Sequence, residues 1–203
     1  MADVLIDNQV APTTPAASKS VLWVDSTTKK FMQTDDAGVH HGLLSMKSSV
    51  GTVTPNAADT YITDSDLLIP SFGMKAGQLY RWYMTVTKTA AGVAAAIFQA
   101  RIGSARTTAD TSRASATQTT AQTAAVSSGI IIVTLQVRSV SATGQLVFGV
   151  GVTSNNVGLG SGITNLPATF DNTALAGLFV GLSINPGAAG VWTIDSVHSE
   201  LVA

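Results

Sequence analysis

The 203-residue chain has 11 basic and 12 acidic residues, a net charge of −1, and only 11% charged residues. An average soluble domain has about 25%, so this chain must cover its surface with Ser and Thr or hide it in contacts, as a subunit of a large particle would. The sequence has no stripe of basic residues, so nothing in its charge pattern indicates binding to nucleic acid or to an anionic membrane. The lack of cysteine excludes disulfides and thiolate metal sites.

The N-terminus has neither the positive region nor the long apolar run of a secretory signal peptide. No apolar stretch approaches the ~18 residues of a membrane-spanning helix, so membrane insertion is not expected. A short strand is predicted at Val4, Leu5 and Ile6. A linker follows from Ala11 to Ser18, and its two prolines favour an extended path.

Residues 21–34 predict a small β-hairpin, and Asp35 to Gly38 predict a turn after it. The hairpin has apolar residues on both faces, namely Trp23, Val24, Phe31 and Met32. Because a two-stranded hairpin cannot bury enough apolar surface to be stable alone, we expect it to pack against copies of itself or a partner. These four residues and Val4 to Ile6 are the predicted attachment residues. We expect an attachment arm at 1–42 and a second domain at 43–203.

The second domain reads as all β. Apolar and polar residues alternate over 80–87, 131–138, 146–153 and 178–184, and further strands are predicted at 46–53, 60–69, 93–102 and 191–202. In the last strand the apolar parity changes between Ile194 and Val197, which predicts a bulge near Asp195. About eight strands separated by turn signals predict a jelly-roll-like β-sandwich.

Two long connections, residues 104–128 and 154–176, are candidates for recognition, since loops at one end of a sandwich often carry function. Within the first, a single helical turn is predicted at Thr108 to Arg113 and a strand at Ser115 to Gln122.

Candidate sites for chemistry are weak. The histidines are His40, His41 and His198; a histidine near a threefold axis is able to bind a metal together with its copies, but a polar joint between arm and domain explains His40 and His41 as well. Asp59, Asp64 and Asp66 lack the further ligands of a calcium loop. The Ser161 motif has the wrong glycine spacing for a nucleophile elbow. We therefore expect no enzyme, metal or cofactor.

The aromatic residues favour packing over sugar binding. Tyr80, Trp82 and Trp192 lie on apolar parities typical of a core. Tyr83 lies on the polar parity and is the best candidate for a receptor contact. Glycines on the second face of two strands, Gly149, Gly151 and Gly181, indicate close approach by another sheet or subunit.

Four segments resemble structural proteins of tailed bacteriophages. Residues 21–38 resemble their N-terminal modules, and residues 101–112 resemble a loop of phage jelly-roll domains. Residues 122–125 and the closing strand at 192–197 continue the likeness. The resemblance implies a homotrimer in which an N-terminal arm attaches to the particle and a β-sandwich projects outward. It supplies no catalytic residues.

The sequence therefore predicts a capsid decoration or short head-fibre protein on the virion surface, with itself and a major capsid or other virion protein as partners. The first alternative is a tail-fibre or tail-tip knob that binds host glycans through residues 104–128 and 154–176. A secreted lectin-like sandwich and an enzyme are further alternatives.

Overall fold

The computed structural model describes residues 8–9, 14–17, 19, 21–25, 31–34, 40–42, 45–47, 51–53, 58–118, 121–153, 163–165, 168–189 and 191–202. The chain divides into two compact units, Met1–Ser45 and Met46–Ala203. The predicted boundary between residues 42 and 43 lies three residues before this division. No helix is present in the described ranges, and accordingly none there has the length and apolarity to span a membrane.

The first unit contains a four-stranded sheet in the order β1-β2-β3-β4. Its strands are β1 (Asn8–Gln9), β2 (Val21–Asp25), β3 (Phe31–Thr34) and β4 (His40–Gly42). β2 and β3 form the predicted antiparallel hairpin, β4 extends it, and β1 pairs with β2 in parallel. The predicted strand at Val4 to Ile6 and the turn at 35–38 lie outside the described residues.

The second unit consists of strands in two sheets. They are β5 (Ser45–Lys47), β6 (Gly51–Val53), β7 (Thr60–Tyr61), β8 (Leu67–Leu68), β9 (Leu79–Lys88), β10 (Ile97–Gly103), β11 (Thr111–Gln118), β12 (Ser127–Ser139), β13 (Gly144–Thr153), β14 (Ile163–Asn165), β15 (Ala168–Phe170), β16 (Phe179–Asn185) and β17 (Trp192–Val202).

The strand order is that of a jelly roll. The larger sheet runs β15-β13-β12-β9-β17-β5, and β6 also pairs with β17; the smaller sheet runs β14-β11-β10-β16-β7, and β8 also pairs with β16. The series β6-β17-β9-β12 in one sheet and β8-β16-β10-β11 in the other pairs early strands with late ones, as two interlocked Greek keys do. The predicted jelly-roll-like sandwich is confirmed.

The core lies between the two sheets, where the inward residues of each strand meet. On β9 these are Tyr80, Trp82, Met84 and Val86, and β12, β13, β10, β16 and β17 contribute similar apolar series. Across the core, the rings of Phe98 and Trp192 meet edge to face with centroids 6.1 Å apart. The core assignments of Tyr80, Trp82 and Trp192 are therefore confirmed.

Two local predictions have opposite outcomes. The register of β17 against β9 shifts between Ile194 and Ser196, so the predicted bulge is present. The helical turn predicted at 108–113 is wrong, because β11 already begins at Thr111. The preceding loop closes instead as a turn in which Asp110 N donates to Thr107 O at 3.1 Å.

Candidate functional site

The N-terminal sheet is organised around one buried indole. Trp23 is 2% exposed, and its Nε1 donates a 2.9 Å hydrogen bond to Oγ1 of the fully buried Thr34. Trp23 pairs with Met32 in the ladder, so Thr34 is its diagonal neighbour on the same face. Trp23 is already covered in a single chain, where its indole holds the small sheet together. Its part in attachment stays a prediction.

The opposite face of this sheet carries exposed apolar surface. Leu22 is 54% exposed and Val24 is half-buried. Val21, which lies on the Trp23 face at the start of the strand, is 36% exposed. Phe31 pairs with Val24 in the ladder; the side chains of Phe31 and Met32 lie outside the described set. Leu22, which the sequence analysis did not select, is the most exposed large apolar side chain of the described hairpin.

Tyr83 lies in the middle of the outward face of the larger sheet, not at a loop end. Its ring lies against that of its cross-strand neighbour His198, with centroids 5.9 Å apart. Arg81 donates from Nη1 to Tyr83 Oη and to Glu200 Oε1, both at 3.0 Å. Tyr83 is thus half-buried within a row of polar partners, which fixes its ring on the sheet.

The outward face of the smaller sheet is held by Arg101 on β10. Its guanidinium donates from Nε to Asp59 Oδ2 at 3.1 Å and to Ser183 Oγ at 2.8 Å, and from Nη1 to the carbonyl of Thr108 at 2.9 Å. Ser183 Oγ in turn donates to Asp59 Oδ2 at 2.9 Å. This network ties strands β10 and β16 to the residue that precedes β7 and to the loop after β10. It uses Asp59 as an ion-pair partner, not as a metal ligand.

The loop between β10 and β11 is also closed by a carboxylate. Asp110 accepts from the backbone N–H groups of Ala105 at 2.9 Å and Arg106 at 2.7 Å. Arg106 has a positive φ of 55° and places its guanidinium 3.8 Å from the ring centre of Phe179. Its Nη1 lies 3.9 Å from Asp66 Oδ2. Residues 104–110, predicted as a recognition loop, are therefore held against the sheet.

One end of the sandwich is closed by a polar plug formed by Lys88, Gln122 and Trp192. Lys88 is fully buried, and its Nζ donates to the carbonyls of Thr123 at 2.7 Å, Thr89 at 2.9 Å and Ala125 at 3.2 Å. Burial lowers the pKa of its ammonium group, and the three carbonyls compensate the charge.

Gln122 completes this plug. Its Oε1 accepts from Trp192 Nε1 at 2.9 Å, and its Nε2 donates to the carbonyls of Ala94 and Pro186 at 2.7 and 2.8 Å. Two of the segments that carry the phage resemblance, residues 122–125 and 192–197, thus meet in the fold. Their residues hold residues 121–126, which belong to the predicted recognition segment 104–128, against the sandwich end.

The remaining candidates do not assemble into a site for chemistry. In the described part of the chain, no three His, Asp or Glu side chains are grouped as metal ligands. His40 and His41 lie on β4, but their side chains are not among those described. Ser161 and residues 154–162 lie outside the described ranges.

No protein-family model matches the chain, and no curated protein matches it. The functional argument therefore rests on the surfaces described above.

Proposed function

We propose that this chain is a non-enzymatic structural protein of a tailed-phage virion, a homotrimeric capsid decoration or short head-fibre subunit that is displayed on the particle surface. The observation that carries the proposal is the structural difference between the two units of the chain. A 45-residue sheet unit with exposed Val21 and Leu22 precedes a jelly roll that has its own complete core.

The exposed apolar side chains of the first unit fit an attachment role. Burying Leu22 against a partner contributes at most about 1.5–3 kcal/mol, because that is the range for a large aliphatic side chain. Three copies in one attachment multiply this effect, since the second and third contacts form at high effective concentration.

The electrostatics of the second unit fit a structural role. Arg81, Arg101 and Arg106 are each placed by contacts within the chain, with Glu200, Asp59 and Asp66 respectively. These three ion pairs hold strands and loops in place, and because their charges cancel they leave little net electric field to steer a charged ligand.

The attachment role is tested with a truncated chain, residues 43–203, which keeps all of β5. It should remain folded but lose binding to virions in a co-sedimentation assay, whereas the full chain binds. Native mass spectrometry of the full chain should give three times the 20.8 kDa chain mass. Equal binding by the truncated chain would refute the attachment role, and a stable monomer at micromolar concentration would refute the oligomer.

One observation favours the alternative of a glycan-binding knob. Phe72, in the loop after β8, is 57% exposed, and Lys75 Nζ lies 4.2 Å from its ring centre. An exposed ring beside a donor is a platform on which a sugar is able to stack. A glycan array with the wild type and Phe72→Ala separates the two proposals: saturable binding that the substitution abolishes supports the knob.

A further inference from the structure

The outward face of the larger sheet carries, across four long strands, a central row without Asp, Glu, Lys or Arg. Its middle row is His198, Tyr83, Ile132 and Gly151, which are successive cross-strand neighbours on β17, β9, β12 and β13. The next row toward one end contains Ile130, which is 44% exposed. Apolar and aromatic side chains thus stand beside a residue that has no side chain.

Nothing in the described part of the chain requires glycine at position 151. Its backbone is not in the left-handed region, and a Cβ there would meet Ile132 O, the nearest described atom, at 3.9 Å, an ordinary contact distance. Glycine inside a strand costs about 0.5–1 kcal/mol relative to alanine. This cost calls for a compensating contact, and close approach of another backbone is the usual one.

The other sheet provides an internal comparison. Gly181 also faces outward, but a Cβ there would collide with the side chain of Tyr61 from the neighbouring strand β7. The chain itself therefore fills the space over Gly181. From the sequence both glycines are predicted sites of close approach, and the structure distinguishes them.

The charges of this face favour a copy of the same chain as the occupant. On this face Arg81 and Glu200 pair at 3.0 Å, and the exposed Arg138 and Asp195 carry one positive and one negative charge. The whole chain has a net charge of only −1. Two copies therefore meet without like-charge repulsion, and a low net charge promotes association.

The size of the face is also sufficient. β9, β12, β13 and β17 each have ten or more residues, and shorter strands extend the sheet at both edges. At about 4.8 Å between strands and 3.3 Å per residue, these four strands, counted at ten residues each, cover about 630 Å². The edge strands β5, β6 and β15, of three residues each, add about 140 Å². A standard-size interface covers about 800 Å² on each partner.

We propose that copies of this chain contact one another through the outward face of the larger sheet, with Gly151 at the point of closest approach. The inference rests on the proposed function, which requires an oligomer, and adds the surface that forms it. Ile130, Ile132 and Tyr83 supply the apolar contact around the glycine.

The test is Gly151→Thr, analysed by sedimentation velocity over a concentration series. Threonine suits an extended strand and has room among the described residues of the single chain, so the thermal stability of the fold should not fall. The dissociation constant of the oligomer should rise by about a hundredfold or more, because overpacking an interface costs several times RT. Ser115→Thr, on the exposed face of β11 in the other sheet, is the control and should leave the dissociation constant unchanged.

A second measurement does not depend on tolerance of the threonine. The chain contains no cysteine, so single variants Thr85→Cys and Ser115→Cys each carry one thiol, at exposed positions on the two different sheets. A short bis-maleimide should link copies of Thr85→Cys and leave Ser115→Cys unlinked.

The results separate this inference from the proposed function. An oligomeric wild type together with an equally oligomeric Gly151→Thr and no Thr85→Cys cross-link overturns the inference alone. A monomeric wild type at tens of micromolar, a concentration typical for this assay, overturns both the inference and the oligomer on which it rests.

Discussion

Lys88 provides the sharpest test of how the sandwich end is closed. It continues the inward parity of Met84 and Val86, yet it places an ammonium group where the core would otherwise continue. We predict that Lys88→Met, which keeps the aliphatic stem and removes the charge, destabilises the protein and loosens residues 121–126.

The magnitude follows from the three carbonyl partners of Nζ. Hydrogen bonds to a charged group contribute about 1.5–3 kcal/mol each, or roughly 5–9 kcal/mol for three. Desolvation of the ammonium offsets several kcal/mol of this. Thr123 and Ala125 lie in an exposed segment, so their carbonyls regain water in the variant. We expect a net loss of about 2–4 kcal/mol in the free energy of unfolding.

The assay is urea unfolding of the full chain, with hydrogen exchange of the 121–126 amides as the local readout. Lys75→Met is the matched control, since Lys75 is exposed and contacts only Phe72 among the described rings; it should change stability by no more than about 0.5 kcal/mol. If Lys88→Met unfolds at the wild-type urea concentration with unchanged exchange at 121–126, the reasoning about the plug is refuted.

Three further predictions concern single contacts. Tyr80 Oη is buried with no hydrogen-bond partner in the described structure, so Tyr80→Phe should stabilise the fold by about 1 kcal/mol. Burial raises the pKa of Tyr80, so the unfolded state loses its phenol proton first and the free energy of unfolding of the wild type should fall above pH ~10. Urea titrations at pH 8 and at about pH 10.5 should show a smaller fall in the variant. Gly181→Ala should cost about 1–3 kcal/mol because of the collision with Tyr61, and combination with Tyr61→Ala should cost less than the sum. Leu22→Ser should weaken virion binding in co-sedimentation and leave the melting temperature of the jelly roll unchanged; equal binding would contradict the role of this side chain.

The sequence predicted the sandwich because its strands bury one face, which leaves a period of two. The same reasoning located the bulge near Asp195, since the inward parity of Trp192 and Ile194 differs from that of Val197. Strand order did not follow from the pattern, because the alternation of apolar and polar residues within a strand contains no information about which strands pair. The helical turn at 108–113 was predicted wrongly because the prediction did not consider that the Asp110 carboxylate accepts hydrogen bonds from the backbone N–H groups of Ala105 and Arg106.

The surfaces were harder to predict than the core. The Arg101 network joins residues 42 and 82 positions apart, a separation at which sequence alone carries no signal. The burial of Lys88 could have been predicted from the sequence, since it lies two residues after Val86 and therefore on the inward face of the same strand. Gly181 differs from Gly151 because the side chain of Tyr61 fills the space over it. This contact follows from the pairing of β7 with β16, which the alternation pattern does not predict.

The central claim is that this protein is a structural subunit displayed on a virion. Immunogold electron microscopy of virions, with an antibody raised against residues 43–203, tests it most directly. The account predicts gold particles on the surface of intact virions, and their loss when the chain lacks residues 1–42. Virions without label, alongside abundant antigen in the soluble fraction of the same lysate, would contradict it.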